Sequence, residues 1–201
     1  NITTSGNTAI GNQSLSKSIA DDNTAVGYLA LQLNTTGAYN TAIGRSALTA
    51  NTTAAANTAV GRLALTTNTT GHSNTAVGYN SLRYNQNAVG NTAVGDTSLQ
   101  ANTTASNNTA LGYTALLTNT TAANNTAVGA AALYTNNGAA NTAVGKDALK
   151  TNSTGDSNVA IGKGAMELNS TGAQNTALGY AALDANTTAN NNTAIGFTAM
   201  S

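Results

Sequence analysis

The chain has 201 residues, of which 7% are charged and 4% aromatic, with no Pro, Trp or Cys and a formal net charge of zero. That composition excludes a disulfide scaffold and a thiolate metal site, gives no electrostatic footprint for nucleic acid or an anionic membrane, and leaves too few large side chains for an ordinary globular core. It is not the composition of a disordered segment either, and no apolar run approaches the roughly 18 residues of a membrane helix.

Asn1-Ile2-Thr3-Thr4-Ser5-Gly6 precedes the first copy of a phrase, Asn-x-Ala-(Val/Ile/Leu)-Gly. Its copies start at Asn7, Asn23, Asn40, Asn57, Asn74, Asn91, Asn108, Asn125, Asn141, Asn158, Asn175 and Asn192, and nine of the eleven intervals are 17 residues and two are 16. Such a period defines one repeat-array domain over residues 1–201. With the Asn as position 1, Ala holds position 3 and Gly position 5 in all twelve copies. Position 4 is Val, Ile or Leu, position 8 is Ala or Ser, and position 9 is Leu except at Met166 and Met200. Position 12 is Asn in ten of eleven copies, usually opening Asn-Thr-Thr-Gly or Asn-Thr-Thr-Ala.

A unit with only two large aliphatics cannot bury itself and must stack on its neighbours. Positions 1–4 predict a short strand, and Gly at position 5 marks a turn or a close backbone approach. Positions 6–11 predict a second strand, with a single helical turn as the alternative because Ala, Leu, Lys and Gln lean helical. Asn-Thr-Thr-Gly predicts a turn. The expected fold is all-β: a parallel β-solenoid (β-roll) of twelve coils. Stacking at about 4.8 Å per coil makes a rod of about 55 Å, with the Asn columns hydrogen-bonded along its axis.

Position 2 is Thr in every copy except Val159, and Thr and Val share a shape, so positions 2 and 4 are expected to face inward. The inner core is then position 4 with position 9, each side chain contributing roughly 1.5–3 kcal/mol, and Asp at Val94 or Leu99 is expected to break stacking. Alternation places the column Ala9, Ala25, Ala42, Ala59, Ala76, Ala93, Ala110, Ala127, Ala143, Ala160, Ala177 and Ala194 on the outer face. Small side chains there suit contact with another copy of the chain.

Asn158-Val159-Ala160-Ile161-Gly162 resembles the Ser/Asn-Val-Ala-Ile-Gly motif in the heads of YadA-like trimeric autotransporter adhesins. Asn-Thr-Ala-Val-Gly with Ala-Leu and Asn-Thr-Thr-Gly is similar to repeats of phage tail-fibre proteins. The resemblance covers essentially the whole chain and implies a parallel β-roll in which three chains pack side by side, with a role in attachment at a cell or virion surface. The unit here is longer than the adhesin-head unit, and position 2 is Thr where that family prefers Val.

No catalytic set can be assembled. His72 is the only histidine and falls in a turn, no carboxylate pair recurs, and Gly162-Lys163-Gly164 lacks the rest of a phosphate-binding loop. The expectation is a non-enzyme with no metal and no cofactor. Two columns could carry binding. Position 6 is the most variable and richest in large side chains, with Tyr28, Arg45, Arg62, Tyr79, Tyr113, Lys146, Lys163, Tyr180 and Phe197; Tyr and Arg make contact sites, and the plainer role is as lids on the shoulder of the rod. Position 12 opens sequons at Asn34, Asn51, Asn68, Asn102, Asn119, Asn152, Asn169 and Asn186, candidate glycan acceptors, with turn chemistry as the plainer reading.

These readings predict an extracellular fibre or filament, at a cell surface or virion, whose partner is itself as a homotrimer or a head-to-tail filament, with surface glycans as further ligands, no nucleic acid and no membrane span. The alternative is an ice-binding solenoid, disfavoured by inward Thr at position 2 but left open by Thr at positions 13 and 14. A polysaccharide-cleaving solenoid needs acidic residues on one face and ranks third. The absence of a leading Met predicts a processed chain or an excised fragment. Asn1 to Gly6 read as positions 12–17 and Ser201 stops at position 10, so ends placed head to tail lack only position 11. The rod is therefore expected to continue, within a longer fibre or by end-to-end stacking.

Overall fold

The computed structural model describes residues 5–201, so Asn1 to Thr4, most of the leading partial coil, lie outside the described residues. Twelve three-residue strands, β1 (Thr8–Ile10), β2 (Thr24–Val26), β3 (Thr41–Ile43), β4 (Thr58–Val60), β5 (Thr75–Val77), β6 (Thr92–Val94), β7 (Thr109–Leu111), β8 (Thr126–Val128), β9 (Thr142–Val144), β10 (Val159–Ile161), β11 (Thr176–Leu178) and β12 (Thr193–Ile195), follow one another in a single sheet. All pairs are parallel and in repeat register, as Thr75, Ala76 and Val77 opposite Thr92, Ala93 and Val94 show. The chain is a β-solenoid with one coil per repeat, as the period requires.

The faces are the reverse of the sequence expectation. Ala25, Ala42, Ala59, Ala76, Ala93, Ala110, Ala127, Ala143, Ala160, Ala177 and Ala194 are buried inside the solenoid, and only Ala9, in the first coil, is exposed. They cannot form an outer contact column. Positions 2 and 4 point outward: β6 presents Thr92 half-buried and Val94 exposed on either side of buried Ala93. The cause is the width of the coil. Its interior is filled by Ala at position 3, Ala or Ser at position 8, Leu or Met at position 9 and two columns of Asn, and a Val in place of the Ala would overpack that space. Position 9 is core, as expected: Leu31, Leu48, Leu65, Leu82, Leu99, Leu116, Leu133, Leu149 and Met166 are fully buried. Ser81 Oγ, at position 8, donates to the carbonyl of Ala93, at position 3 of the next coil, and meets Ser98 Oγ at 3.1 Å. Ser therefore substitutes for Ala only where it finds such partners.

Positions 6–11 are neither strand nor helix. Positions 7 and 9 adopt left-handed backbone in every coil, for example Thr97 (φ 54°) with Leu99 (φ 50°) and Asp147 (φ 58°) with Leu149 (φ 50°). A left-handed residue costs roughly 1–2 kcal/mol and breaks both regular ladders. Here it turns successive amides up and down the rod axis. Thr97 N donates to Tyr79 O in the preceding coil and Leu99 N to Ala115 O in the following one. Positions 11 and 13 donate to the following coil as well (Ala101 N to Leu117 O, Thr103 N to Thr120 O), and position 17 returns to the preceding one (Asn107 N to Val89 O). Coil-to-coil hydrogen bonds thus run round the whole circumference, although only three residues per coil count as strand.

Gly at position 5 makes the corner out of the strand. Gly95 has φ 135°, and a Cβ there would lie 2.5 Å from the Gly112 carbonyl oxygen, so both conformation and contact exclude any other residue.

Candidate functional site

Two outward columns run along the sheet from coil to coil. Position 4 places Ile10 (61% exposed), Ile43, Val94, Ile161, Leu178 and Ile195 at the surface. Beside it stand the Thr of position 2, from Thr24 to Thr193, interrupted by Val159. No hydrogen bond among the described residues uses these Thr hydroxyls. At position 13 the reverse holds: the hydroxyls of Thr35, Thr52, Thr69 and Thr103 each donate to a carbonyl of the next coil, at 2.8 to 3.2 Å. The face is a strip of hydroxyls without protein partners and aliphatic side chains, in register from coil to coil.

Across the Gly corner, position 6 assembles as a column. Arg45 lies 5.7 Å from the Tyr28 ring centroid, Arg62 5.6 Å from that of Tyr79, and Lys163 5.6 Å from that of Tyr180. Tyr180 and Phe197 stack with centroids 5.1 Å apart and planes 11° apart. Tyr113 stands 63% exposed, between Asp96 and Ala130 in the neighbouring coils. A further pair, Arg83 with its guanidinium 5.0 Å from the Tyr84 ring, occupies positions 10 and 11. The sequence reading missed it, although adjacent Arg and Tyr are its visible signal.

Positions 6, 7 and 10 of the ninth and tenth coils hold a charge network that the sequence reading also missed. Lys150 contacts Asp147 at 3.0 Å and Glu167 at 3.7 Å, and Lys146 contacts Asp147 at 3.6 Å. The hydrogen bond and charge of Asp147, and then the charge of Glu167, hold Lys150 above the usual lysine range. A groove of about 200 Å³ beside it is lined by Asp147, Lys163, Gly164, Glu167, Tyr180, Ala181 and Asp184. The pattern was written in the repeats as opposite charges at fixed positions of adjacent coils.

The sequons are structural. Asn34, Asn51, Asn68, Asn102, Asn119, Asn152 and Asn169 are fully buried, and Asn186, in the penultimate coil, is half-buried. Each amide nitrogen is already committed: Asn102 Nδ2 donates to Asn85 Oδ1 and Ala105 O, and Asn186 Nδ2 to Asn169 Oδ1 and Ala189 O. No glycan can be carried there by the folded chain, because the acceptor nitrogen faces the inside of the coil. His72 is exposed in its turn and meets only Ser73 Oγ, at 3.2 Å.

Comparisons with protein-family models, characterised proteins and solved structures give no match. Among the described residues no three His, Cys, Asp or Glu side chains group as metal ligands, and no helix is long and apolar enough to cross a membrane.

Proposed function

We propose that the chain is a non-enzymatic structural rod, a segment of an extracellular fibre of adhesin or tail-fibre type, whose copies associate side by side through the Thr/Val face. The observation that carries this reading is the outward aliphatic column. A strip two columns wide and twelve coils long presents about 650 Å², of which the aliphatic column is about half, within the size of the apolar patches that mark interaction sites on monomers, about 300–600 Å². Two such faces pressed together bury about 1,300 Å², the size of a standard specific interface. Two sheets facing each other pack at about 10 Å, and in a three-chain bundle each face is instead shared between two neighbours.

Sedimentation equilibrium tests it. The wild-type chain is expected as an oligomer, at twice its 19.8 kDa mass for a face-to-face pair or three times for a bundle, and a variant carrying Ile43→Asp and Val94→Asp as a monomer with unchanged circular dichroism. A wild-type chain that stays monomeric at its highest soluble concentration contradicts the reading.

A second reading, an ice-binding solenoid, is favoured by one observation: the position-2 Thr hydroxyls face outward without protein partners, in a column at the strand spacing. It requires an open face, so thermal hysteresis carried by the monomer and lost on replacing Thr75, Thr92 and Thr109 by Leu would select it over self-association.

A further inference from the structure

The chain treats its cations in two ways. In the ninth and tenth coils, Lys146 and Lys150 lie against Asp147 and Glu167. Residues 23–90, the second to fifth coils, hold Arg45, Arg62 and Arg83 and not one Asp or Glu. Among the described residues no ion pair involves these three arginines. Arg45 and Arg62 follow one another in column 6, one coil or about 4.8 Å apart, and neither guanidinium donates a hydrogen bond among the described residues; Arg83 donates one, to Asn80 Oδ1 at 3.4 Å. Like charges in register repel, and the coils around them offer the rings of Tyr28 and Tyr79 but no carboxylate.

Tyrosines bracket the pair. Tyr28 lies one coil before Arg45 and Tyr79 one coil after Arg62, each ring beside its guanidinium and each nearly half exposed. From Tyr28 to Tyr79 is three coils, about 14 Å along the rod. The order ring, cation, cation, ring presents two apolar faces with polar tips around two planar donors that match carboxylates bidentately. We propose that Tyr28, Arg45, Arg62 and Tyr79 form a binding site for an acidic polysaccharide, lying along the rod axis with its carboxylates on the arginines and the sugars to either side of them against the tyrosines. The site lies across the Gly corner from the sheet face and does not depend on self-association.

Isothermal titration with hexagalacturonic acid tests this, with maltohexaose as the neutral probe and a six-nucleotide oligothymidylate as a polyanion without sugar acids. Hexagalacturonic acid is expected to bind, more weakly as salt rises, and maltohexaose not to bind. Arg45→Gln with Arg62→Gln is expected to weaken binding at least about tenfold, in line with the loss of two charge-assisted contacts. Tyr28→Ser with Tyr79→Ser is expected to weaken it about fivefold, and Lys146→Gln to leave it unchanged. These side chains lie outside the core, and circular dichroism identical to wild type verifies the fold of each variant. Absence of hexagalacturonate binding overturns the proposal. So does equal binding of the oligothymidylate with no effect of the tyrosine substitutions, which identifies plain polyanion attraction.

Discussion

Asn91 and Asn102, eleven residues apart in one coil, donate to the same carbonyl: Nδ2 of Asn91 lies 2.9 Å and Nδ2 of Asn102 3.0 Å from Ala105 O. The arrangement recurs at Gly37, Ala54, Gly71, Ala88, Gly155, Gly172 and Ala189. Each Asn also ties its coil to the adjacent coils. Asn102 Nδ2 donates to Asn85 Oδ1 and its Oδ1 accepts from Asn119 Nδ2, while Asn91 Oδ1 accepts from the backbone N of Asn108. Two Asn per coil thus close the ring and fasten it to the stack, and no buried side-chain polar atom among the described residues lacks a partner.

Removing one Asn strands several groups at once. Asn102→Ala is expected to destabilise by about 2–4 kcal/mol, from lost hydrogen bonds and the desolvated partners left behind, read as a lower urea midpoint. Thr104→Ala, in the same turn, is expected to change stability by less than about 0.5 kcal/mol.

The two kinds of glycine separate in the same assay. Gly95→Ala puts a Cβ 2.5 Å from the Gly112 oxygen at a φ of 135°, and is expected to cost at least about 3 kcal/mol. Gly164 has φ 67°, and its added Cβ meets only Glu167 Oε2, at 3.4 Å. Since position 7 carries Asn80, Thr97 or Asp147 elsewhere, Gly164→Ala is expected to cost no more than about 1–2 kcal/mol.

Exposed Ala140 has φ 57°, the conformation that Gly90 adopts at the same position of another coil. Ala140→Gly relieves roughly 1–2 kcal/mol of left-handed strain and returns about 0.4–1 kcal/mol of unfolded-chain entropy. The net expectation is a gain of about 0.5 kcal/mol, a rise in melting temperature from a substitution that ordinarily lowers it.

The solenoid, its period, the Asn ladders, the corner Gly and the Leu core were legible because each repeats at a fixed position and each has one physical use. The facing of the strands was not. A three-residue strand leaves two parities, and hydrophobicity alone put Val and Ile inside; the exchange of Thr for Val159 fits a half-exposed sheet surface as well as a core. Ala93, small enough for a narrow coil, was the better guide. The left-handed segment was hidden because Leu99 rarely adopts such backbone, although Asn80, Asp147 and Gly164 at position 7, with Asn107 and Asn124 at position 17, carried the signal. The Tyr and Arg column was recognised because one position per coil must line up; the seating of Arg45 beside Tyr28 and of Arg62 beside Tyr79 needed the stacked coils.

Core and surface now exchange roles at neighbouring residues. Ala93→Val is expected to cost about 1–3 kcal/mol by overpacking, and Leu99→Asp to unfold the array by burying a charge. Val94→Asp is expected to leave circular dichroism and the melting of the separated chain nearly unchanged while weakening association.

Self-association through the Thr/Val face is tested most directly by intermolecular distance. The chain has no cysteine, so Val94→Cys and Gln100→Cys each accept one nitroxide label, on the sheet face and on the second side of the same coil. Double electron–electron resonance is expected to give an intermolecular distance below about 25 Å at position 94, since facing sheets pack about 10 Å apart, and a longer one at position 100. No dipolar signal at position 94, or a shorter distance at position 100 than at 94, contradicts the proposed interface.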